Sequence, residues 1–295
     1  MTSLDTPSLL AWFSGAGRPL PWREGGVTAW EILLCEVMSQ QTPVARVEPI
    51  WRQWLQRWPG PRELAEAAPA DVIRMWGKLG YPRRALRLRE CAVVVVEQFG
   101  GEVPTHVDEL LSLPGVGDYT ARAVACFAHR QAVPVVDTNV RRVVARAVQG
   151  QAEAGPPSNR RDLATVEALL PAQREEAVAF SVAVMELGAL VCTARKPDCD
   201  SCPLAPSCAW VAAGKPAWDG PRGKTQTYAG TDRQVRGMLL DVLRDGDGTA
   251  TAAQLDAVWP DEAQRGRALA SLVDDGLVAR VGEVGEDGVN YALPT

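Results

Sequence analysis

The chain has 295 residues, a formal charge of −5 at neutral pH and an ordinary globular composition apart from ten tryptophans, a length that suits two domains or one large core with an appendage. No apolar run reaches a membrane-spanning length, and the opening MTSLDTPSLLAWF lacks the basic and apolar regions of a secretory leader. The expectation is therefore a cytoplasmic protein without a membrane partner, whose seven cysteines stay reduced.

Apolar residues recur at spacings of three and four over 30–41, 48–58, 70–79, 83–98, 107–113, 119–128, 138–148 and 177–190, predicting a helix in each. Proline and glycine mark the joints, at Pro59-Gly60-Pro61, Gly100-Gly101, Pro114-Gly115 and Gly155-Pro156-Pro157. Residues 132–136, AVPVV, hint at an extended segment that their own proline weakens. This pattern predicts an all-helical domain over 1–214. Residues 215–230, rich in glycine and proline and carrying Lys215, Arg222 and Lys224, read as a linker. Amphipathic helices then follow at 231–244 and 261–274, a shorter one at 252–259, and a strand pair at 277–281 and 289–293. Three helices and a two-stranded wing predict a small α+β winged-helix-like domain over 231–295.

Charge is unevenly spread. Residues 229–295 carry 12 acidic and 6 basic side chains, while residues 1–228 are net +1. Arginines cluster there at Arg83, Arg84, Arg87 and Arg89, and again at Arg141, Arg142 and Arg146. Local patches matter more for phosphate binding than the total does, although arginines at helical spacing often mark only a solvated face.

Cys192, Cys199, Cys202 and Cys208 stand as C-x6-C-x2-C-x5-C within one short loop. Structural zinc usually takes two close C-x2-C pairs, and only one is present here. The wide arms suit the larger cubane of a 4Fe–4S cluster, with zinc and a disulfide as the other readings. Cys35, Cys91 and Cys126 lie in apolar stretches and read as small core residues.

The segment LPGVG at 113–117 ends one helix and opens another. Gly115, Val116 and Gly117 could form a helical-hairpin cap or a turn whose amides seat a phosphate at a helix N-terminus. With VVDTNVRRV at 135–143 and the cysteine loop, LPGVG resembles the helix–hairpin–helix superfamily of DNA glycosylases that carry an iron–sulfur cluster. CEVMSQQTP at 35–43, LPWR at 20–23 and LGYPRRALRL at 79–88 are similar to MutY-type adenine DNA glycosylases, and the resemblance covers residues 10 to about 230.

The resemblance implies a helix–hairpin–helix glycosylase fold, a 4Fe–4S cofactor and monofunctional excision, in base-excision repair, of adenine mispaired with 8-oxoguanine or guanine. It implies a monomer acting on double-stranded DNA. It makes Glu36 the general acid that protonates the adenine ring at N7, a role suited to a carboxyl in an apolar setting that resists ionising. Asp137, otherwise a helix N-cap, would stabilise the sugar oxocarbenium, following the two-carboxylate logic of glycoside hydrolysis. Tyr119 stands where endonuclease III-type lyases place a Schiff-base lysine, and no lysine occurs between Lys78 and Lys196. Gln41 and Tyr81 match the wedge residues that fill the stack after base flipping. Arg83 joins Gly115, Val116 and Gly117 as a DNA contact.

Two departures stand out. Pro82 replaces the second tyrosine that many relatives carry beside Tyr81, and the 65 residues from Thr231 are too few and too helical for the Nudix-like domain that helps many members read 8-oxoguanine. A short form of the family is therefore the expectation, in which residues 1–230 alone excise adenine while the tail adjusts discrimination of the opposite base. The alternatives are a thymine or uracil mismatch glycosylase of the same superfamily, which can share the tyrosine, and a non-catalytic DNA-binding protein. The presence of both carboxylates disfavours the latter.

Overall fold

The computed structural model describes residues 4–221, 228–285 and 288–295. Helices α1 (Thr6–Ala16), α2 (Ala29–Ser39), α3 (Val44–Arg57), α4 (Pro61–Glu66), α5 (Pro69–Trp76) and α6 (Arg83–Phe99) come first. They are followed by α7 (Val107–Leu111), α8 (Asp118–Phe127), α9 (Thr138–Ala147), α10 (Asn159–Glu167), α11 (Arg174–Leu190) and α12 (Ala209–Ala212). The tail consists of α13 (Asp232–Asp245), β1 (Thr249–Thr251), α14 (Ala252–Asp256), α15 (Glu262–Asp274), β2 (Ala279–Gly285) and β3 (Gly288–Ala292).

Two compact units result. One comprises Met1–Leu33, Thr105–Ser112 and Val116–Gly223, the other Leu34–Pro104, Leu113–Gly115 and Lys224–Thr295. In the first, α11 is apolar almost all round and packs against α1, α8 and α9, as a helix does when it is buried on most sides. Leu9, Val140, Val143, Phe180, Val184 and Leu187 form the core around it. Gly188 lets α9 and α11 close up, because a Cβ there would lie 2.7 Å from that of Asn139.

In the second unit α6 packs on α4 and α5. Trp54 is fully buried and meets Trp58 and Trp76 edge-on, with ring centroids 5.1 and 5.5 Å apart. The tail belongs to this unit. Its antiparallel sheet runs in the order β1-β3-β2, and helices and strands alternate as in a winged helix. Its core of Leu239, Leu243, Leu272 and Leu277 includes Ile73 of α5, with Ala70 and Leu86 packed against it. Residues 1–230 on their own would expose that face, so the expectation that they suffice for a folded, active protein meets a physical obstacle.

The structure also corrects individual elements. The strand pair predicted at 277–281 and 289–293 is present as β2 and β3, joined by β1, which is too short to show a period of two. Residues 132–136 form no strand. Helix α3 begins before the predicted start at residue 48 and accommodates Pro49, while α1, α4 and α10 went unpredicted because their apolar faces are short. Arg222 and Lys224 of the predicted linker lie outside the described residues.

Candidate active site and iron–sulfur loop

The four loop thiols line one cavity together with Arg146 and Trp210. All four are free of disulfides, and among the described residues no three His, Cys, Asp or Glu side chains are placed to hold a single metal ion. An all-sulfur donor set around a shared cavity fits a multi-iron cluster better than one tetrahedral ion. Basic groups of α9 organise the loop. Arg142 donates to the Cys192 carbonyl at 2.7 Å. Arg146 donates to the Thr193 carbonyl at 2.7 Å and to the Cys192 Sγ at 3.5 Å, and its guanidinium lies 5.0 Å from the Trp210 ring centroid. Burial pushes the Cys192 thiol above its ordinary range, and the Arg146 and Arg142 charges act against that shift.

Asp137 caps α9. Its Oδ1 accepts from the Val140 N–H at 2.7 Å and its Oδ2 from Asn139 Nδ2 at 2.8 Å, so both oxygens are oriented. Burial pushes its carboxyl above the usual range, against the pull of those hydrogen bonds and of the Arg142 charge. Within the hairpin Gly117 caps α8, and Gly115 has φ +78 with space for a Cβ only 2.9 Å from that of Arg87. No other residue fits that turn without strain. Val116 is buried, holding the turn in place. Tyr119 is half-buried against the small cluster of Ala123, Cys126 and Val178, and its hydroxyl approaches Met185 Sδ at 3.9 Å.

Glu36 lies on α2 in the second unit and is 8% exposed; Cys35, Val37 and Met38 of the same helix are buried too. The chain beyond α2 turns sharply. Gln41 has φ 54 and Tyr81 φ 49, so both sequence-predicted wedge residues occupy the left-handed region that non-glycine residues avoid. One residue ties the two turns together. Arg84 donates to the carbonyls of Val37, Met38 and Gln40 at 2.7, 3.1 and 2.7 Å, and to the Gly80 carbonyl and Thr42 Oγ1, both at 3.0 Å. Its guanidinium lies 5.0 Å from the Trp76 ring centroid and 5.7 Å from that of Tyr81. Burial brings its pKa down to about 10, despite the neighbouring Tyr81. Arg83, expected as a DNA contact, is exposed and bonds Asp275 at 3.1 Å.

Sequence reasoning missed Glu186. Its side chain is fully buried on α11 and accepts from Arg18 at 2.7 Å and from Arg23 at 2.9 Å. Burial alone would raise its carboxyl, but the hydrogen bonds of Arg18 and Arg23 together outweigh that and hold it at about 2. This contact explains the LPWR segment: Arg23 anchors the N-terminal stretch. The lone acid inside AVAFSVAVMELGALV was the available signal.

The helical fold with its hairpin and the cysteine loop point to a base-excision DNA glycosylase with an iron–sulfur cluster. The profile of the HhH-GPD superfamily of base excision DNA repair proteins matches residues 34–167, and that of the iron–sulfur binding domain of endonuclease III matches residues 192–208. The chain is 60% identical over 292 residues to an adenine DNA glycosylase of Mycobacterium tuberculosis, covering 99% of this chain and 94% of the relative. A thermostable thymine-DNA glycosylase structure matches with TM-score 0.64 and 27% identity, over 70% of this chain and 95% of its own. An endonuclease III–DNA complex matches with TM-score 0.61 and 25% identity, over 71% and 94%. The chain belongs to the adenine DNA glycosylase family, and its cofactor is a 4Fe–4S cluster, the iron–sulfur domain match spanning the cysteine loop at 192–208.

Proposed function

We propose that the protein hydrolyses the N-glycosidic bond of adenine mispaired with 8-oxoguanine or guanine in double-stranded DNA. The observation that carries this reading is the buried carboxyl of Glu36 on the helix that leads into the strained Gln41 turn, in a chain so similar to an adenine DNA glycosylase. A flipped adenine is a poor anionic leaving group, so the proton of Glu36 passes to its N7 as the bond from the sugar C1′ to N9 breaks. Asp137, ionised and fixed by Val140 and Asn139, faces the oxocarbenium charge. Water then bonds to C1′ and its proton returns to Glu36. The reading requires both carboxylates to act on the same nucleotide.

Gln41 and Tyr81 fill the vacated stack, and the amides at Gly115, Val116 and Gly117 seat a phosphate. Tyr119 offers no amine, so strand cleavage by imine formation is not part of the reaction. The cluster, when bound, supplies the Fe–S bonds that fix the 192–208 loop. Residues 1–214 then carry the chemistry, 215–230 connect, and 231–295 form the winged-helix-like module of a monomer that acts in the cytoplasm on chromosomal DNA. Among the described residues no helix is long and apolar enough to cross a membrane.

The second reading, excision of thymine or uracil opposite guanine, rests on the likeness to the thymine-DNA glycosylase structure. The released base separates the two. Duplexes carrying adenine opposite 8-oxoguanine, adenine opposite guanine, thymine opposite guanine and uracil opposite guanine should yield adenine alone, with strands breaking only after alkali. Release of pyrimidine in place of adenine would overturn the proposal, and a borohydride-trapped adduct would overturn the monofunctional assignment.

A further inference from the structure

A groove of about 1020 Å³ within the second unit is lined by Gln41, Tyr81 and Arg87 of the helical part and by Tyr228, Arg233 and Arg236 of the tail. The tail is net −6, yet three of its six basic residues, Arg233, Arg236 and Arg244, line this groove. Most of these charges are already neutralised. Arg83 and Arg236 share Asp275 at 3.1 and 2.6 Å, and Arg244 bonds Asp241 at 2.5 Å.

Arg233 differs. Among the described residues its partners are two tyrosines and not a carboxylate: it donates to the Tyr81 hydroxyl at 2.5 Å, and its guanidinium lies 5.6 and 5.5 Å from the ring centroids of Tyr81 and Tyr228. It stands in the first turn of α13, where the helix dipole disfavours a cation. The neighbouring Asp232 is engaged by Gln264 at 3.0 Å and Arg267 at 3.6 Å. Both tyrosines are large aromatics left open to solvent, 42% and 54% exposed. Such rings are stacking platforms for bases.

We infer that Arg233, flanked by Tyr228 and Tyr81, reads the base opposite the excised adenine. The inference rests on the glycosylase reading above. A guanidinium offers only donors, arranged in a planar fork, and the O6 carbonyl is an acceptor that guanine and 8-oxoguanine share; guanine adds the N7 acceptor, whereas 8-oxoguanine, whose N7 carries a hydrogen, adds the O8 carbonyl. Cytosine presents an amino donor at the corresponding edge and would be disfavoured. Tyr81, held out by its positive φ and tied through its hydroxyl to Arg233, brings the reader to the wedge. The tail thereby supplies opposite-base discrimination from a winged-helix-like scaffold.

The test is single-turnover excision of adenine placed opposite 8-oxoguanine, guanine or an abasic analogue, with iron content and melting temperature confirming that each variant is folded. Arg233→Ala is expected to slow excision opposite 8-oxoguanine and guanine at least tenfold more than opposite the abasic analogue. Arg233→Lys keeps the charge without the fork and should show the same selective loss with duplex affinity retained. Tyr228→Ala, at an exposed position, provides a second variant should Arg233→Ala fold poorly, and it should be selective in the same sense. Equal slowing on all three duplexes, which a phosphate contact would give, overturns the inference, as does full rescue by lysine. A wild type that releases no adenine from any duplex overturns the glycosylase reading together with this inference; an active wild type with unselective variants overturns this inference alone.

Discussion

The cysteine loop at 192–208 and the tail beyond Tyr228 are anchored by opposite means. The loop contributes Leu204 and parts of Cys192 and Cys202 to a core that other helices build; Arg142 and Arg146 tie it by hydrogen bonds, and the cluster would supply the rest when bound. The tail has a core of its own, extended across Ile73 of α5, with ion pairs such as Arg83–Asp275 and Lys78–Asp241 around it. Segments without an apolar core depend on the strong bonds of a metal centre. Segments with one depend on burial, which many residues share.

Breaking the loop should therefore need only one atom. Cys199→Ser is expected to lose most of the iron and expose 192–208 to proteolysis, while hydrogen exchange in α13 and α15 stays protected. Iron and sulfide analysis with mass-spectrometric exchange reads both. Zinc in place of iron in wild-type protein would contradict the cluster assignment.

Glu186 gives the next largest effect. Removing one partner of a buried ion pair costs about 3–5 kcal/mol, because the remaining charge is left uncompensated. Glu186→Gln should show a loss of this order in chemical denaturation. Its pH dependence has a definite sign. The folded carboxyl is held at about 2 against an ordinary 4.5, so its contribution is complete above about pH 4.5 and is lost as pH falls toward 2. The variant should lack that part of the acid dependence.

The tail should yield to volume rather than charge. Ile73→Ala leaves a cavity where a fully buried side chain stood, at a cost of roughly 2–5 kcal/mol if the site collapses little. Exchange in α13 and α15 should rise while the iron content holds, the reverse of the cysteine variant. A smaller stability loss, about 1–2 kcal/mol, is expected of Arg84→Lys, whose ammonium cannot reach the five acceptors that the guanidinium spans. Because those acceptors shape the Gln41 and Tyr81 turns, excision should fall roughly 10–100-fold with duplex affinity largely kept.

The same contrast governs what the sequence revealed. The cysteine spacing is local, and so were the hairpin glycines, Asp137 before its helix and Glu36 on an apolar one; a few neighbouring residues sufficed to nominate each. Periodicity located the long helices for the same reason. Glu186 with Arg18, Arg84 with the end of α2, and Arg233 with Tyr81 are pairings between distant segments, and no short window contains both halves. Arg84 read as one member of a charged face because its acceptors are backbone carbonyls, which leave no trace in side-chain pattern. Strand β1 escaped because three residues cannot display alternation.

The central claim is that Glu36 delivers the proton on which adenine release depends. Its most direct test is single-turnover excision by Glu36→Gln on an adenine·8-oxoguanine duplex, alongside equilibrium binding of the same duplex. The glutamine keeps the size and polarity of the side chain but cannot protonate the base, so binding should match wild type within a few-fold while adenine release falls to background. Adenine release at the wild-type rate by an iron-loaded Glu36→Gln protein would contradict the account.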